Sequence, residues 1–242
     1  MAGIEVPDSG AYHPEAAGGV AFNGRVGIGV ANTIIRIITA QAGIRSICDL
    51  GCGNGYLAGQ LGARGYTVLG VDASDTYLEI AREYNGGNPR VTFAKALIDA
   101  DLVSQLAATH DPFDLVVSSD VIEHLYDPFE FLKTALALLR PGGVAVVGTP
   151  YHGYFKNVAI SLAGKWDTHH GVHWHGGHIK FFSVPSLGAM MVRAGFLEPH
   201  FQYYGRFPGF WKNMIAVTRK PETVAISSAA RPLEAHKADC DS

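Results

Sequence analysis

The sequence predicts an α/β fold: a doubly wound, mostly parallel seven-stranded sheet with a terminal antiparallel hairpin and a lid inserted after the fifth strand. Three observations lead there. Five short apolar runs alternate with helical segments. The segments between them are long enough to return the chain for parallel pairing, which needs a crossover and not a tight turn. A glycine-rich turn, Gly51-Cys52-Gly53-Asn54-Gly55, follows the first run, at the strand end where open α/β sheets bind their ligands. With 242 residues, 48% hydrophobic and 17% charged, the chain has apolar side chains enough for one well-buried core and room for an insertion.

Taken in order, residues 1–22 are rich in Gly, Pro and Ala without a sustained apolar period, which predicts a flexible arm before a domain spanning 23–220. Val26 to Ala42 places apolar residues at helical spacing and reads as an amphipathic leading helix. The strands are Ser46–Leu50, Thr67–Val71, Val91–Ala94, Phe113–Ser118 and Val144–Gly148. Between them lie helices over Tyr56–Arg64, Asp75–Tyr84, Asp99–Ala108 and Pro128–Leu139. Leu139-Arg140-Pro141-Gly142-Gly143 reads as a helix stop followed by a turn. Residues 150–182 break the alternation with His, Gly and aromatic residues, hence the lid. The helix Pro185–Ala194 ends at Gly195, Phe196–Tyr204 and Phe210–Arg219 supply the closing hairpin, and 221–242 form a tail resembling the arm.

Composition narrows the function. Lys and Arg number 19 against 22 Asp and Glu, a net charge of −3, so the basic excess of a nucleic-acid binder is missing. The three cysteines, Cys48, Cys52 and Cys240, cannot build a disulfide framework, which suits a reducing cytoplasm. The N-terminus lacks a basic, then apolar, leader, and no run reaches the roughly 18 apolar residues of a membrane span. Neither export nor integral membrane insertion is expected. NVAISLAGKW reads as a short amphipathic helix that packs as lid core or rests peripherally on a membrane surface.

The glycine turn is not a dinucleotide fingerprint, because G-x-G-x-x-G would need glycine where Tyr56 stands. Asp49, two residues before Gly51, would repel a pyrophosphate but can neutralise an ammonium group, directly or through water. Asp72 ends the second strand, the position from which a carboxylate accepts hydrogen bonds from ribose hydroxyls. Together they describe a cationic, phosphate-free nucleoside with a free ribose.

DLGCGNG, VDAS, FDLVVSSDVIEHL and LLRPGG, in this order and at these intervals, resemble the class I S-adenosylmethionine (SAM) methyltransferases. Within them the chain is most similar to the small-molecule branch that includes the ubiquinone-biosynthesis O-methyltransferases, strongly over about residues 45–150 and weakly over 178–218. The resemblance implies a Rossmann-like methyltransferase fold, SAM as cofactor and S-adenosyl-L-homocysteine (SAH) as product. It implies that Asp49, Gly51, Cys52 and Gly53 hold the methionine moiety and that Asp72 with Ala73 holds the ribose. Ala96 and Leu97 then lie beside the adenine, Ser118 or Ser119 lines the methionine side, and Arg25 closes over the cofactor carboxylate. Tyr12 and Phe22 are the aromatic alternatives to Arg25. Leu97 stands where many relatives carry an acidic residue, leaving adenine recognition to backbone groups or to Asp99.

Methyl transfer from a sulfonium needs a positioned acceptor and exclusion of water more than it needs activation of the leaving group. SSDVIEHLYDP follows the fourth strand and presents Asp120, Glu123 and His124; on a helical turn all three would share a face. That grouping suits His124 as a general base polarised by a carboxylate, or a divalent ion, or a purely structural capping role. The lid segment KWDTHHGVHWHGGHIKFF carries His169, His170, His173, His175 and His178, with His152 upstream. Its spacing matches no recognised zinc pattern, so no metal ligand is assigned there; the histidines either line the acceptor pocket or lie solvated on a loop. His178 is the second candidate for a base or substrate ligand. Tyr151, Tyr154, Phe155, Trp166, Trp174, Phe181 and Phe182 interleave with them, as in the wall of a small-molecule pocket. The expectation is methyl transfer to a small-molecule oxygen, a phenol, enol or carboxylate, by a monomer or homodimer. N- or C-methylation and SAM binding without turnover stay open.

Overall fold

The structure is a computed structural model and describes residues 25–170 and 177–222. In chain order the elements are α1 (Arg25–Thr39), β1 (Ser46–Leu50), α2 (Tyr56–Gly62), β2 (Thr67–Asp72), α3 (Asp75–Tyr84), β3 (Val91–Lys95) and α4 (Ala100–Ala107). There follow β4 (Phe113–Ser119), a 3-10 turn (Ile122–His124), α5 (Pro128–Leu138) and β5 (Leu139–Pro150). The remainder is α6 (Tyr154–Leu162), α7 (Trp166–His170), α8 (Val184–Ala194), β6 (His200–Tyr204) and β7 (Asn213–Arg219). The expected arm, all but two residues of the tail, and His173, Trp174, His175 and Cys240 lie outside the described residues.

The seven strands pair in the order β3-β2-β1-β4-β5-β7-β6, with the first five parallel and β7 antiparallel to both β5 and β6. Strand order reverses between β1 and β4, which opens a crevice beyond their carboxyl ends. Helices cover both faces, so the central strands are apolar on both sides and all seven residues of β4 are buried. On one face Ile34 and Ile38 of α1 and Leu57 and Leu61 of α2 pack on Ile47, Val68, Leu115 and Val146. On the other, Leu102, Phe131, Leu132, Leu187 and Met191 pack on Leu50, Val71, Val116 and Ala145.

Local signals set most boundaries. Ser74 caps α3, Asp99 caps α4, Asp127 caps α5 ahead of Pro128, and Gly195 at φ 107° ends α8. Several boundaries differ from expectation: β6 starts at His200 and not Phe196, β7 at Asn213 and not Phe210, and β5 starts before Val144. Leu139–Gly143 is no free turn but the start of β5, because Pro141 disfavours helix at the residue before it and Leu139 turns directly into the sheet to pair with Phe113. Beneath this junction Asp114 accepts hydrogen bonds from the amides of Arg45 (2.8 Å) and Ser46 (3.0 Å) and from Arg140 Nε (2.6 Å). Burial opposes its ionisation, but Arg140 and these amides outweigh that and hold its pKa down at about 2.

The insertion after β5 contains α6 and α7. NVAISLAGKW lies largely in α6, but it does not pack as lid core: Val158 and Leu162 point outward, Leu162 at 85% exposed, while Lys156 points in. Among the described residues no helix is long and apolar enough to cross a membrane.

Candidate active site

At the carboxyl edge a cavity of about 640 Å³ opens over the crevice, a size within the roughly 300–1,000 Å³ usual for small-molecule sites. Its floor is the turn after β1. The amides of Gly51 and Cys52 both donate to Val71 O, at 2.8 and 3.0 Å, which folds the turn back over β2. Gly53, at φ 51°, has open space where a Cβ would stand, so the bare backbone faces the cavity. Gly53 N donates to Asp72 Oδ2 and Ser74 N to Asp72 Oδ1, each at 2.9 Å. Asp72 is thereby locked by both oxygens, and each keeps a lone pair for a further donor.

Ala73, Ala96, Leu97, Cys52 and Ser119 line the same cavity. Asp49 does not: it is buried beneath the turn, and its Oδ2 has no hydrogen-bond partner among the described residues. Burial first, and the Asp72 charge second, push its pKa up to about 7. Burial also pushes the Cys52 thiol far up, with help from the Asp49 and Asp72 charges, so it stays neutral. Ser118 is turned away, donating to Leu50 O at 2.7 Å, and Asp99 is occupied with the amides of Asp101 and Leu102. Arg25 begins α1, its side chain outside the described residues. Sequence reasoning did not single out Asn54, Ser74, Tyr77, Ile98, Val121 and Leu125, which also line the cavity. The serine preceding a helical run at Asp75 was a visible cap signal for Ser74 and, three residues on, Tyr77.

The chemistry-bearing side chains arrange differently from a single helical face. Asp120 lines the cavity as expected, but it sits at φ 55° and the following turn is 3-10, so it shares no helical face with Glu123 and His124, although its charge still acts on both. Its carboxylate accepts from Ser119 Oγ (3.0 Å) and from Asn213 Nδ2 of β7 (2.6 Å). Burial raises its pKa against those hydrogen bonds and the nearby His124. Glu123 is buried; Oε2 accepts from Thr149 Oγ1 at 3.0 Å, and Oε1 accepts no hydrogen bond among the described residues but lies 4.0 Å from His124 Nε2. Burial, then the Asp120 charge, drives the Glu123 pKa well above its ordinary value.

His124 lines the cavity, with Nδ1 3.2 Å from Gly177 O. A carbonyl only accepts, so Nδ1 carries the proton and the Nε2 lone pair is directed elsewhere. His178 stands edge-on to His124, ring centroids 5.0 Å apart, its pKa lowered to about 4 by burial and then by His124. Ligand atoms of Glu123, His124 and His178 all lie within 4.8 Å of one another, so His178 takes the place expected for Asp120. The amides of Ile179 and Lys180 donate to Glu123 O at 2.9 and 3.0 Å and tie the His178 strip to this turn. Of the other lid histidines, His152 and His170 are buried, not solvated, and His169 is exposed on α7.

A family model described as a methyltransferase domain matches residues 28–197. The chain is 34% identical over 164 residues to the ubiquinone biosynthesis O-methyltransferase of Dinoroseobacter shibae, covering 63% of this chain and 60% of that protein. To the protein of the same name from a Caulobacter species it is 36% identical over 126 residues, covering 52% and 48%. The chain thus spans about half to three-fifths of the length of these curated relatives. Among solved structures, the N-methyltransferase NodS of Bradyrhizobium japonicum, in complex with SAH, shares the fold at TM-score 0.61 and 15% identity, covering 84% of this chain and 91% of that one.

Proposed function

The chain belongs to the methyltransferase-domain family matched over residues 28–197, and from that premise we propose that it transfers a methyl group from SAM to an oxygen of a small-molecule acceptor. The observation that carries the reading is the pair of strand-end carboxylates: Asp72 locked with a free lone pair on each oxygen, and Asp49 buried with Oδ2 unmatched. A buried carboxylate without a partner is costly, and a cationic ligand above the turn removes that cost. The cavity and its donor set therefore fit SAM, which when bound supplies an already activated methyl group.

The protein's part is positioning. Asp49 neutralises the ammonium end from beneath, Gly53 allows close backbone approach, and Asp72 accepts from the ribose hydroxyls through its remaining lone pairs. Ala96, Leu97 and Ile98 give the adenine an apolar wall, and backbone groups recognise its edge, since Asp99 is engaged in capping α4. His124 Nε2 takes the acceptor proton, with its tautomer held by Gly177 O. Glu123 and His178 fix its surroundings.

A second reading adds a divalent cation. A carboxylate oxygen of Glu123 and a ring nitrogen each of His124 and His178 fit one, because such atoms lie within 4.8 Å of one another and Glu123 Oε1, 4.0 Å from His124 Nε2, accepts no hydrogen bond among the described residues. Such an ion would orient the acceptor oxygen and lower its pKa. A chelator that abolishes turnover, reversed by added metal, supports this reading; indifference leaves His124 as sole base. Peripheral membrane contact is supported by the outward Tyr154, Phe155, Val158 and Leu162 of α6. The experiment for the main reading is SAM consumption with a panel of phenols, alongside SAM binding: binding without turnover on any acceptor class would favour a SAM-binding protein, and methylated nitrogen or carbon products would replace the oxygen assignment.

A further inference from the structure

Lys156, on the inner side of α6, is 5% exposed, and no ion pair to a carboxylate is formed by it among the described residues. Its Nζ donates to Tyr151 O at 2.7 Å, which uses one of three donors. A buried ammonium without a counter-charge is costly, and burial together with the nearby Arg206 charge draws its pKa down to about 8. Beside it are two imidazoles, His152 at 5% exposed and His170 at 3%; among the described residues Asn157 alone acts on His152 as a weak hydrogen-bond partner, and neither ring nitrogen of His170 has one. Their ring centroids are 5.3 Å apart, and His170 lies between Trp166 (4.3 Å) and Phe181 (4.4 Å).

The charge around this cluster is of one sign. Burial first, and the Lys156 charge second, lower the pKa of His152, His169 and His170 alike, Arg206 acts on His169 as well, and no carboxylate among the described residues contributes to any of them. A metal cation would meet that repulsion with no anionic ligand among the described residues to offset it. An anion would supply the counter-charge of Lys156 and accept from the imidazole N–H groups. The cluster is also joined to the cavity. His152 N donates to Phe182 O at 3.1 Å, Phe181 packs on both buried imidazoles, and three residues earlier on the same strip His178 packs on His124.

We propose that Lys156, His152 and His170 hold an anionic group, a carboxylate or phosphate, of the methyl acceptor while its nucleophilic oxygen sits beside His124. This rests on the methyl-transfer reading of the cavity. It makes the acceptor an anion with an aromatic or apolar body, and Lys156 a specificity-determining residue.

The test uses the full chain saturated with SAH. Inorganic phosphate, titrated by calorimetry, is expected to bind saturably and about tenfold or more weakly to Lys156→Met, with SAH affinity equal in both. 3,4-Dihydroxybenzoate is expected to compete with phosphate and to bind about tenfold or more tightly than catechol, which lacks only the carboxylate. His170→Asn serves where Lys156→Met does not fold. Absence of phosphate binding, phosphate binding unchanged in the variants, phosphate that leaves dihydroxybenzoate affinity unaltered, or equal affinity for catechol and dihydroxybenzoate would each overturn the proposal. Failure of SAH itself to bind would instead strike the methyl-transfer reading, and the phosphate titrations decide the anion site without it.

Discussion

The floor of the cavity and the groups beyond β4 hold their polar atoms over different distances in the chain, although the floor too keeps one buried acceptor, Asp49 Oδ2, without a hydrogen-bond partner among the described residues. In the floor, Asp72 is held by amides 19 and 2 residues away in sequence, and both its oxygens are already engaged. Beyond β4 the contacts run long: Glu123 to Thr149 spans 26 residues, His124 to Gly177 spans 53, and Asp120 to Asn213 spans 93. There Glu123 Oε1 and the His170 ring nitrogens are left without hydrogen-bond partners among the described residues. The difference teaches a division of labour. A cradle built from neighbouring backbone is positioned by the β1–β2 pairing itself, and it suits a cofactor common to a whole family. The lid holds unmet hydrogen-bonding capacity that an acceptor can satisfy.

The sharpest attempt to break this division is His124→Ala. It is expected to lower kcat by about 100-fold, the range for loss of a general base, while SAM affinity stays within about twofold. If calorimetry showed SAM affinity falling in step with turnover, floor and lid would not be separable. Next comes the converse, Asp72→Ala, which removes the acceptor for the ribose and for the Gly53 and Ser74 amides. SAM affinity is expected to fall about tenfold or more by calorimetry, and unchanged affinity would remove the ribose assignment.

A pH series sharpens the floor further. Burial raises the folded-state pKa of Asp49 to about 7 from its ordinary 3.8. In that window the ligand-free fold binds a proton that the unfolded chain has lost, so this group's contribution to stability falls as pH rises from about 4 through 7. A cationic ligand needs the ionised form. SAM affinity is therefore expected to rise about tenfold between pH 6 and 8, with proton release on binding at the lower pH, and Asp49→Asn should flatten the profile.

The smallest expected effect lies outside both regions. Asp114→Asn should cost about 1–2 kcal/mol in denaturant unfolding and leave SAM affinity alone. Because the folded pKa of Asp114 is depressed to about 2, its contribution is present above the unfolded value near 4 and is lost as pH falls through 2. A change in SAM binding in this variant would show that the floor depends on the distant β1–β4 clamp.

The same contrast governs what the sequence made legible. Strand and helix positions follow from apolar periodicity and from caps such as Ser74, Asp99 and Asp127, all local signals. The floor was legible for the same reason, since Asp49, Gly51, Gly53 and Asp72 lie at strand ends whose spacing is visible in the chain. Asp120 was legible as a neighbour of the cavity, of Glu123 and of His124, but nothing in one sequence announces its left-handed backbone or its Asn213 partner on β7. The inward turn of Lys156 was illegible too, because the apolar residues of α6 face outward, against the usual amphipathic rule. Ser118 was indistinguishable from Ser119 until the β4 pleat assigned one to Leu50 and the other to the cavity.

The most direct measurement is a calorimetric titration of the full chain with SAH and, separately, with NAD. Saturable one-to-one heat with SAH and none with NAD is the predicted result. Heat with the pyridine dinucleotide and silence with SAH would contradict the carboxylate-based account of the cavity at its root.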